Sequence, residues 1–411
     1  MTTRKFRGWR TATAIIAASA LALGLSACGG GDEGGGGEGG QVTIEVWDYL
    51  GQGVSDEAMK EVVANFESEN PDIKVNRTSF AFADLSKSIV QGGVAGEVPD
   101  VAIVDVVDNQ NFAALGLLAE MDGGMSGDFF EGPWSSTQFD EKTYGYPLNS
   151  NNLALYYNED MFAEAGVEPP TTWEELAEVA KQTTTGDHTG LAISAVKSEQ
   201  GTFQFLPFVW QTGGDLDNYE TSGAEALAYL KGLIDDGSMS SAVANYTQED
   251  ARTQFVSGKV AMMINGPWEL QNLRDAEGLN FGVTALPSGE EAATGLGGEN
   301  VVTFAGADQL EAGQKFAEYL TSTDGAKAYC NTSGQLSARQ DLTGELELSA
   351  DPQMQVFEKQ LEVAHARAYG GKYNEISVAV QESLQRALTG EASPEDAAKD
   401  AAEKITPLLG Q

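Results

Sequence analysis

The sequence predicts an α/β protein with more than one lobe. Residues 42–105 alternate strand and helix patterns in the order β-α-β-α-β, which is typical of a parallel sheet with crossover helices. Further short apolar strands between capped helices follow along the chain. One otherwise apolar stretch, Tyr144–Asn158, has a polar centre that a core strand would not tolerate without partners. This stretch indicates a segment that crosses between two lobes beside a cleft.

Strands and helices up to residue 118 follow from the spacing of apolar side chains. Ser55 is expected to cap the first helix, because its hydroxyl can accept a hydrogen bond from the first turn, and that helix runs to Asn70. The remaining elements are strands over Val42–Trp47, Ile73–Ser79 and Pro99–Asp105, and helices over Ala83–Gln91 and Asp108–Leu118.

Capping residues mark the helices of the second half of the chain. The predicted caps are Thr172, which forms a capping box with Glu175, then Ser222, Thr247 and Ser393. Apolar runs between these helices predict strands over Leu191–Ala195, Val260–Ile264, Asn280–Leu286 and Val301–Ala305.

The strand that begins at Val260 ends abruptly at Asn265-Gly266-Pro267. This turn places Trp268 just beyond the strand end, where open α/β sheets bind their ligands. Trp268 is therefore a candidate to offer its flat ring to a ligand, and the alternative is that it only covers the core beneath it.

The first 40 residues carry the features of a targeting segment. Four basic residues precede Thr13–Leu25, an apolar run too short to span a bilayer. The junction Leu25-Ser26-Ala27-Cys28 resembles a bacterial lipobox, so residues 1–27 are expected to be a signal peptide and Cys28 to be lipidated. The glycine-rich residues 28–40 predict a flexible tether. The alternative is an ordinary secretory signal whose cleavage site contains a cysteine.

The composition excludes several classes of protein. Without the signal segment, 384 residues remain, with 20 basic and 62 acidic side chains and a formal charge of −42. Such a charge excludes nucleic acid as a partner and is repelled by an anionic lipid surface. His188 and His365 are far apart, and Cys330 has no second cysteine once Cys28 is acylated. No metal site, disulfide, Ser-His-Asp arrangement or cofactor is expected.

Several stretches resemble the extracellular sugar-binding proteins of ABC importers, and their order and approximate spacing hold from Val42 to the C-terminus. The most specific one is Asn265–Trp268 after an apolar strand. The stretches are Val46-Trp47, Pro99–Val101 with Ala114–Leu118, Tyr146-Pro147 with Ala154–Asn158, Thr171–Leu176, Gly213-Gly214, Ala261–Trp268 and Thr389–Asp396.

This resemblance implies a two-lobed, type II periplasmic-binding-protein-like fold, in which each lobe is a β-sheet flanked by helices and the ligand lies in the cleft between lobes. Residues 41–148 with 287–321 would form the first lobe, and residues 149–286 with 322–411 the second. The implied function is that of a monomeric, lipid-anchored binding protein and not an enzyme. It would capture a mono- or oligosaccharide at the extracellular face of the bacterial cytoplasmic membrane and deliver it to the permease subunits of an ABC importer.

The candidate site combines the resemblance with the chemistry of sugars. A pyranose has an apolar C–H face, which suits a flat ring, and a rim of hydroxyls, which suits carboxylates and amides. By resemblance, Trp268 matches a ring that stacks on sugar, Phe203 a ring of the cleft wall, and Asn151 a ligand-bonding carboxylate. Because Asn151 is neutral and no lysine follows Trp47, the sugar is expected to be held differently from maltose in other members. The predicted ligand-binding residues are Trp47, Asp48, Gln52, Asp105, Asp108, Asn151, Phe203, Trp268, Glu299 and Tyr373.

Alternatives remain open at this point. Trp47 and Phe203 are equally well explained as core residues, and Asp108 as the favourable first residue of a helix. Paired carboxylates beside aromatic rings also suit a tethered glycoside hydrolase. A third hypothesis is a binding protein for a non-sugar solute such as a peptide.

Overall fold

The computed structural model describes residues 41–409, which form two larger β-sheets surrounded by helices. The predicted signal peptide (1–27), the lipidation at Cys28 and the tether (28–40) lie outside the described residues. Within the described part of the chain, no helix combines the length and apolarity needed to cross a membrane.

The strands are β1 (Val42–Asp48), β2 (Ile73–Ser79), β3 (Val101–Asp105), β4 (Gln138–Phe139), β5 (Lys142–Thr143), β6 (Tyr146–Pro147), β7 (Ala154–Asn158), β8 (Thr189–Ala192), β9 (Val260–Asn265), β10 (Phe281–Thr284), β11 (Thr294–Leu296), β12 (Glu299–Thr303) and β13 (Ala364–Ala366).

The helices are α1 (Gly53–Glu69), α2 (Phe82–Ala95), α3 (Asp108–Ala114), α4 (Glu131–Ser136), α5 (Glu159–Ala165), α6 (Trp173–Gln182), α7 (Glu199–Gln211), α8 (Tyr219–Asp235), α9 (Gln248–Val256), α10 (Leu270–Arg274), α11 (Leu310–Thr321), α12 (Thr323–Ser333), α13 (Pro352–Gln360), α14 (Tyr373–Leu388) and α15 (Pro394–Ile405).

The first sheet has the strand order β2-β1-β3-β12-β6. β1 pairs in parallel with β2 and β3, so the predicted β-α-β-α-β arrangement is confirmed. β12 returns from late in the chain and pairs antiparallel with β3 and β6. Alternate residues of β1 such as Ile44 and Val46 are buried in one apolar cluster with α1, α11 and α12. That cluster also contains Cys330, which is buried.

The second sheet has the strand order β10-β7-β9-β8. β9 lies between β7, to which it is antiparallel, and β8, to which it is parallel. Every residue of β9 is buried, which explains its nearly continuous apolar sequence. The largest apolar cluster lies on this sheet and includes side chains of α7, α8, α14 and α15. The α/β fold class is confirmed by these two sheets and their flanking helices.

Residues 148–153 join β6 of the first sheet directly to β7 of the second. The predicted long strand over Tyr144–Asn158 is therefore two short strands, because the polar residues between them pair with segments distant in sequence. Ser150 forms a bridge with Leu336, and Asn151 forms one with Gly297. The predicted division of the chain between the two lobes stays a prediction.

Two predicted caps are wrong. Gln52 takes the N-cap position of α1 in an extended conformation, so Ser55 lies inside the helix. A short 3₁₀ turn, Leu216–Asn218, leads straight into α8 at Tyr219, and Ser222 therefore lies inside α8, where its hydroxyl bonds to backbone oxygens of the preceding turn.

The other caps are confirmed, although Glu175 accepts hydrogen bonds from Thr171 and so does not complete the predicted capping box with Thr172. One helix is shorter than expected. Thr172, Thr247 and Ser393 each accept a hydrogen bond from the backbone N–H three residues later. α3 ends at Ala114 and not at Leu118, because Gly116 turns the chain with a φ of 70°.

A buried ion pair fixes the loop after β1. Asp48 is completely buried, and its Oδ2 lies 2.7 Å from Nε of Arg77 on β2. Arg77 also pairs with Asp56 of α1 at 3.0 Å. The arginine therefore holds β1, β2 and α1 together, and the carboxylate of Asp48, a predicted ligand-binding group, is already engaged by it.

We expect Arg77→Met to lower the free energy of unfolding by about 3–5 kcal/mol, because it leaves the buried Asp48 charge without a partner. The matched control is Lys74→Met on the same strand, whose pair with Glu67 is only partly buried; this change is expected to cost less than about 1 kcal/mol. Chemical denaturation of both variants measures the difference, and equal losses would contradict a structural role of the Asp48 pair.

Candidate functional site

Loops associated with the two sheets meet around Arg367. On one side β3 ends at Asp105, and on the other Glu199 begins α7, which packs with the second sheet. Arg367 follows β13, and its guanidinium pairs with Glu199 through Nη1 and lies 3.3 Å from Asp105 Oδ1 through Nη2. One arginine therefore bridges a strand end of the first sheet and a helix of the second.

The Arg367 side chain is 1 % exposed. Its guanidinium carbon lies 4.4 Å from the ring centroid of Phe203, a cation–π contact that is strong where water is excluded. Burial opposes the charge of Arg367, but the neighbouring oxygens of Asp105, Tyr373 and Glu199 outweigh it and raise the pKa above its ordinary value. The arginine is therefore charged at every physiological pH, and its Nε has no partner within residues 41–409.

Glu199 is held by a second set of donors. The hydroxyl of Tyr373 donates to Glu199 Oε1 at 2.6 Å, and Ser377 donates to Oε2. Ser377 is hydrogen-bonded in turn to Thr202 at 2.8 Å. Both Tyr373 and Ser377 belong to α14, so this network fixes the start of α14 against α7.

Asp108 connects the first residue of α3 to α14. Its Oδ1 accepts hydrogen bonds from Ser86 Oγ at 2.9 Å and from Asn374 Nδ2 at 3.2 Å. Burial, followed by the charge of Asp105, raises the pKa of Asp108 to about 7. Asp108 is thus both the first residue of a helix and a buried carboxyl group in the cluster.

Asn151 and Phe203 lie on either side of Gly297. The backbones of Asn151 and Gly297 exchange two hydrogen bonds of 3.0 and 2.9 Å. A Cβ at Gly297 would lie 2.2 Å from Asn151 Oδ1 and 2.9 Å from Phe203 Cζ, so only glycine permits this approach. Phe203 is 7 % exposed, consistent with a ring that covers the core and carries Arg367 on its face.

Glu299 is a buried carboxyl group at the start of β12, directly across from Asp105 in the strand pairing. Tyr49 donates to its Oε1 at 2.8 Å, while its Oε2 has no hydrogen-bond partner in the described part of the chain. Burial raises the pKa of Glu299 to about 7, and the charge of Asp105 adds to the shift.

Of the ten predicted residues, Asp105, Phe203 and Tyr373 lie beside Arg367, Asp108 and Glu299 lie next to Asp105, Asn151 meets Phe203 at Gly297, and the other four do not join this network. Trp47 packs against Phe80 at 5.0 Å between ring centroids, on the face of the first sheet that α2 covers. Asp48 is engaged by Arg77, and Gln52 is exposed at the start of α1. Trp268 lies beyond the end of β9 as predicted, half-buried, with its ring folded over Gly266.

Two cavities lie beside the cluster. A narrow crevice of about 20 Å³ is lined by Val106, Val107 and residues from Arg367 to Tyr373. An open cavity of about 590 Å³ shares the lining residues Gln110, Ala368 and Gly370 with it. A volume of 20 Å³ holds a single water, whereas small-molecule sites measure roughly 300–1,000 Å³. Trp268 lines neither cavity.

The arrangement suits hydrogen bonding to a polar, uncharged molecule. Asp105 and Glu199 pair with Arg367, the carboxyl groups of Asp108 and Glu299 lie next to Asp105, and Phe203 and Tyr373 supply the rings. Within residues 41–409, no group of three or more acidic, histidine or cysteine side chains has the arrangement of a metal site. The cluster therefore offers acceptors, fixed donors and flat apolar faces.

Sequence patterns did not identify Arg367, Glu199, Tyr369 or Tyr49 as residues of the candidate site. The only available signal was an arginine close to Tyr369-Gly370-Gly371, a combination of ring and glycines typical of a loop near a ligand. From Asp308 onward the sequence pattern is nearly all helical, so it does not predict the short strand β13 that precedes Arg367.

Comparisons with known proteins agree with this geometry. Residues 61–356 match the family of bacterial extracellular solute-binding proteins. The maltodextrin-binding protein MdxE of Bacillus subtilis is 25 % identical over 414 residues, with 95 % of this chain and 96 % of that protein covered.

Two solved structures share the fold. An ABC transporter solute-binding protein of Thermotoga lettingae, bound to α-D-tagatose, is 28 % identical with a TM-score of 0.82 and covers 90 % of this chain and 100 % of its own. The maltose-bound T. maritima protein MalE3 is 27 % identical with a TM-score of 0.81 and the same coverage. The predicted two-lobed, type II binding-protein fold is confirmed by these likenesses.

The raised pKa of Glu299 predicts a specific dependence of stability on pH. The folded protein keeps the proton of Glu299 up to about pH 7, whereas the unfolded chain releases it near pH 4.3. The folded state therefore binds more protons between these values, and the contribution of Glu299 to stability is lost as pH rises through 7. We expect wild type to lose up to about 3 kcal/mol relative to Glu299→Gln between pH 4.5 and 8.

Urea denaturation of both proteins at several pH values measures this difference. Glu403→Gln, at an exposed position on α15, is the control and is expected to follow wild type at every pH. Parallel pH profiles of wild type and Glu299→Gln would contradict the raised pKa.

Proposed function

Because the chain belongs to the bacterial extracellular solute-binding proteins, we propose that it captures a sugar outside the cell and delivers it to the permease of an ABC importer. The relatives described above include binding proteins for maltodextrin, maltose and tagatose. The protein is a carrier that binds and releases its solute without altering it.

The observation that carries the proposal is the chemistry of the Arg367 cluster. Sugars are bound by flat rings together with charged hydrogen-bonding groups. The cluster offers Phe203 and Tyr373 as rings, and carboxyl groups such as Glu299 whose Oε2 has no partner within residues 41–409. We propose Asp105, Asp108, Asn151, Phe203, Glu299 and Tyr373 as the ligand-binding residues.

Four other residues remain weaker proposals for the site. Trp268 follows β9 in the position expected of a stacking ring and packs against the apolar cluster that also contains Phe203, but it lines neither cavity. Trp47 and Asp48 are engaged elsewhere, and Gln52 is exposed at the start of α1.

The two alternatives are not favoured. A glycoside hydrolase is inconsistent with a family of binding proteins. A peptide or another non-sugar solute is not what the relatives named above bind. The paired carboxyl groups of the cleft are therefore assigned to hydrogen bonding with hydroxyls and not to acid–base catalysis.

The protein works outside the cytoplasm, as its family does. We further propose that the protein is a monomer. We also propose that a lipid on Cys28 attaches it to the outer face of the cytoplasmic membrane, with residues 28–40 as a flexible tether. The lipobox-like junction and the glycine-rich composition support this proposal.

A sugar is expected to bind and to close the cleft. In a thermal-shift screen, sugars and not amino acids or peptides should raise the melting temperature, since a ligand at 100 times its Kd adds about 2.7 kcal/mol. Small-angle scattering at saturation should then show a smaller radius of gyration, because few segments join the two sheets and these resist bending weakly. A sugar from the panel that gives no thermal shift serves as the control. A shift with peptides alone would contradict sugar binding.

Lipidation is tested by Cys28→Ser. We expect this variant to retain the unprocessed signal segment and to lack an acylated N-terminus, which mass spectrometry of the membrane fraction detects. The control is Ser26→Ala, which changes a residue near the cleavage site but keeps the Cys28 thiol. This variant should still be acylated. An acylated, processed Cys28→Ser protein would overturn the assignment.

A further inference from the structure

We propose that Glu299 is a proton-binding site that controls how readily the two sheets separate. Its neutral carboxyl group keeps the chain connections between the sheets packed, whereas its ionisation loosens them and favours an open cleft. A proton site of this kind goes beyond the proposed function, and only its consequence for sugar affinity rests on that function.

Three connections between the two sheets meet at Glu299. Residues 148–153 join β6 to β7, and residues 285–298 lead from β10 of the second sheet to Glu299, the first residue of β12 in the first sheet. The third connection follows α12, which packs on the first sheet, and leads to α13, which packs on the second. A change in the angle between the sheets has to be taken up in these connections, because no other part of the chain between them is free to bend.

Hydrogen bonds tie the three connections to one another. The N–H of Glu299 donates to Asn149 Oδ1 at 2.8 Å, and the N–H of Leu148 donates to the carbonyl oxygen of Glu299 at 2.8 Å. Ser150 and Leu336 exchange two backbone hydrogen bonds of 2.8 and 3.0 Å. The backbone of Glu299 therefore belongs to one bonded unit with the crossing segment, and that segment is bonded in turn to the third connection.

Gly298 lets the chain turn at this unit. Its φ is 139°, and a Cβ there would lie 2.5 Å from the carbonyl oxygen of Asn149, so only glycine fits. The residue before it, Gly297, is bonded to Asn151, and the residue after it is Glu299. A change of torsion at Gly298 would therefore move the carboxyl group of Glu299 relative to the crossing segment.

The carboxyl group of Glu299 is buried without a cation. The residue is 6 % exposed, and within residues 41–409 it forms no ion pair. Tyr49 donates to Oε1 at 2.8 Å, and Oε2 has no partner among the described residues. An ionised carboxylate in such a place loses its hydration without a compensating charge, so the neutral acid is the form that suits the packed connections.

The titratable groups that face Glu299 supply no positive charge. They are Asp105 across from it on β3, Tyr49 in the loop after β1, and Tyr329 and Cys330 on α12. Burial raises the pKa of Tyr329 and of Cys330, so both stay neutral. The nearby arginines are engaged elsewhere, Arg367 with Asp105 and Arg77 with Asp48.

Further polar atoms of the connections have no hydrogen-bond partner in the described part of the chain. They are buried, and they comprise Asn149 Nδ2, Ser150 Oγ, Tyr329 Oη and Ser333 Oγ. An ionised Glu299 would need donors at Oε2, and these groups reach it only if the connections shift or water enters. Either change weakens the packing that holds the two sheets at a fixed angle.

The closed arrangement, in which Arg367 bridges the two sheets, binds the proton more tightly than an open one. Burial raises the pKa of Glu299 to about 7, against the lowering effect of Tyr49 and Asn149, whereas hydration returns it towards the ordinary value of about 4.3. Protons therefore favour closure by up to a few hundredfold, the ratio of the two acidity constants. This contribution is fully present below about pH 4.3 and is lost as pH rises to about 7.

The test is small-angle scattering of the protein without any sugar, between pH 5 and 8.5 at constant ionic strength. We expect the radius of gyration of wild type to increase with pH and the increase to be complete by about pH 8. Glu299→Gln should keep the smaller radius at every pH, because its amide stays neutral. Glu403→Gln, at an exposed position on α15, is the control and should respond as wild type does.

A second variant, Tyr49→Phe, tests the same site while keeping the carboxyl group and the ring. It removes the hydroxyl that lowers the pKa of Glu299, so the increase in radius should move to higher pH by about one unit. Melting curves at pH 5 establish that all variants are folded. An unchanged position of the transition in this variant would contradict control by Glu299.

Sugar affinity gives the consequence that rests on the proposed function. With maltotriose and D-tagatose as probes, calorimetric titration should show wild type binding at least about tenfold more weakly at pH 8 than at pH 5. In Glu299→Gln the ratio of the two affinities should stay below about twofold, whatever its absolute affinity.

The outcomes separate this site from the proposed function. A radius of wild type that does not change with pH would overturn the site, and so would a change that persists in Glu299→Gln, because another group such as Asp108 would then be responsible. An affinity that depends on pH without a change in radius would make Glu299 a ligand contact only, which also overturns control of the sheets. If neither sugar binds at any pH, that result counts against the proposed function alone, since the scattering experiment needs no sugar.

Discussion

A buried guanidinium needs negative partners, and the pairing of Arg367 with Asp105 and Glu199 couples parts of the chain that belong to different sheets. Removing one partner of such a pair typically costs several kcal/mol, because the remaining charge stays buried. The end of β3, the start of α7 and the loop before α14 are therefore positioned together. Any movement that separates the two sheets must therefore break the pair of Arg367 with Asp105 or its pair with Glu199.

The carboxyl groups around this arginine differ in protonation. Glu299 and Asp108 have pKa values of about 7, because burial disfavours their charge. A protonated carboxyl group both donates and accepts hydrogen bonds, whereas a carboxylate only accepts. Near neutral pH the cluster therefore contains groups that match a hydroxyl in either orientation, without the repulsion of fully ionised neighbours.

Local patterns predicted the elements that local interactions determine. The parallel β1–β3 unit, the caps at Thr172 and Thr247 and the placement of Trp268 beyond β9 depend on periodicity and short-range hydrogen bonds. Six of the ten predicted site residues join one network, but only Asp105 ends a strand; Phe203 lies within α7 and Tyr373 begins α14, so tertiary packing brings them together. Arg367 was missed because its partners lie more than 160 residues away, and no local pattern specifies which carboxylates an arginine will meet. For the same reason, the sequence did not show that Asp48 is engaged by Arg77, which lies on the neighbouring strand.

The position of β12 in the first sheet has a consequence for how the protein is made. β12 lies between β3 and β6, although it follows them by well over a hundred residues in sequence. During synthesis, the centre of this sheet cannot be completed until nearly three quarters of the chain has been made. Contacts so distant in sequence form slowly, since the intervening chain must first be ordered. A polypeptide exported from the cytoplasm benefits from this delay, because it stays unfolded long enough to be threaded through a secretion channel.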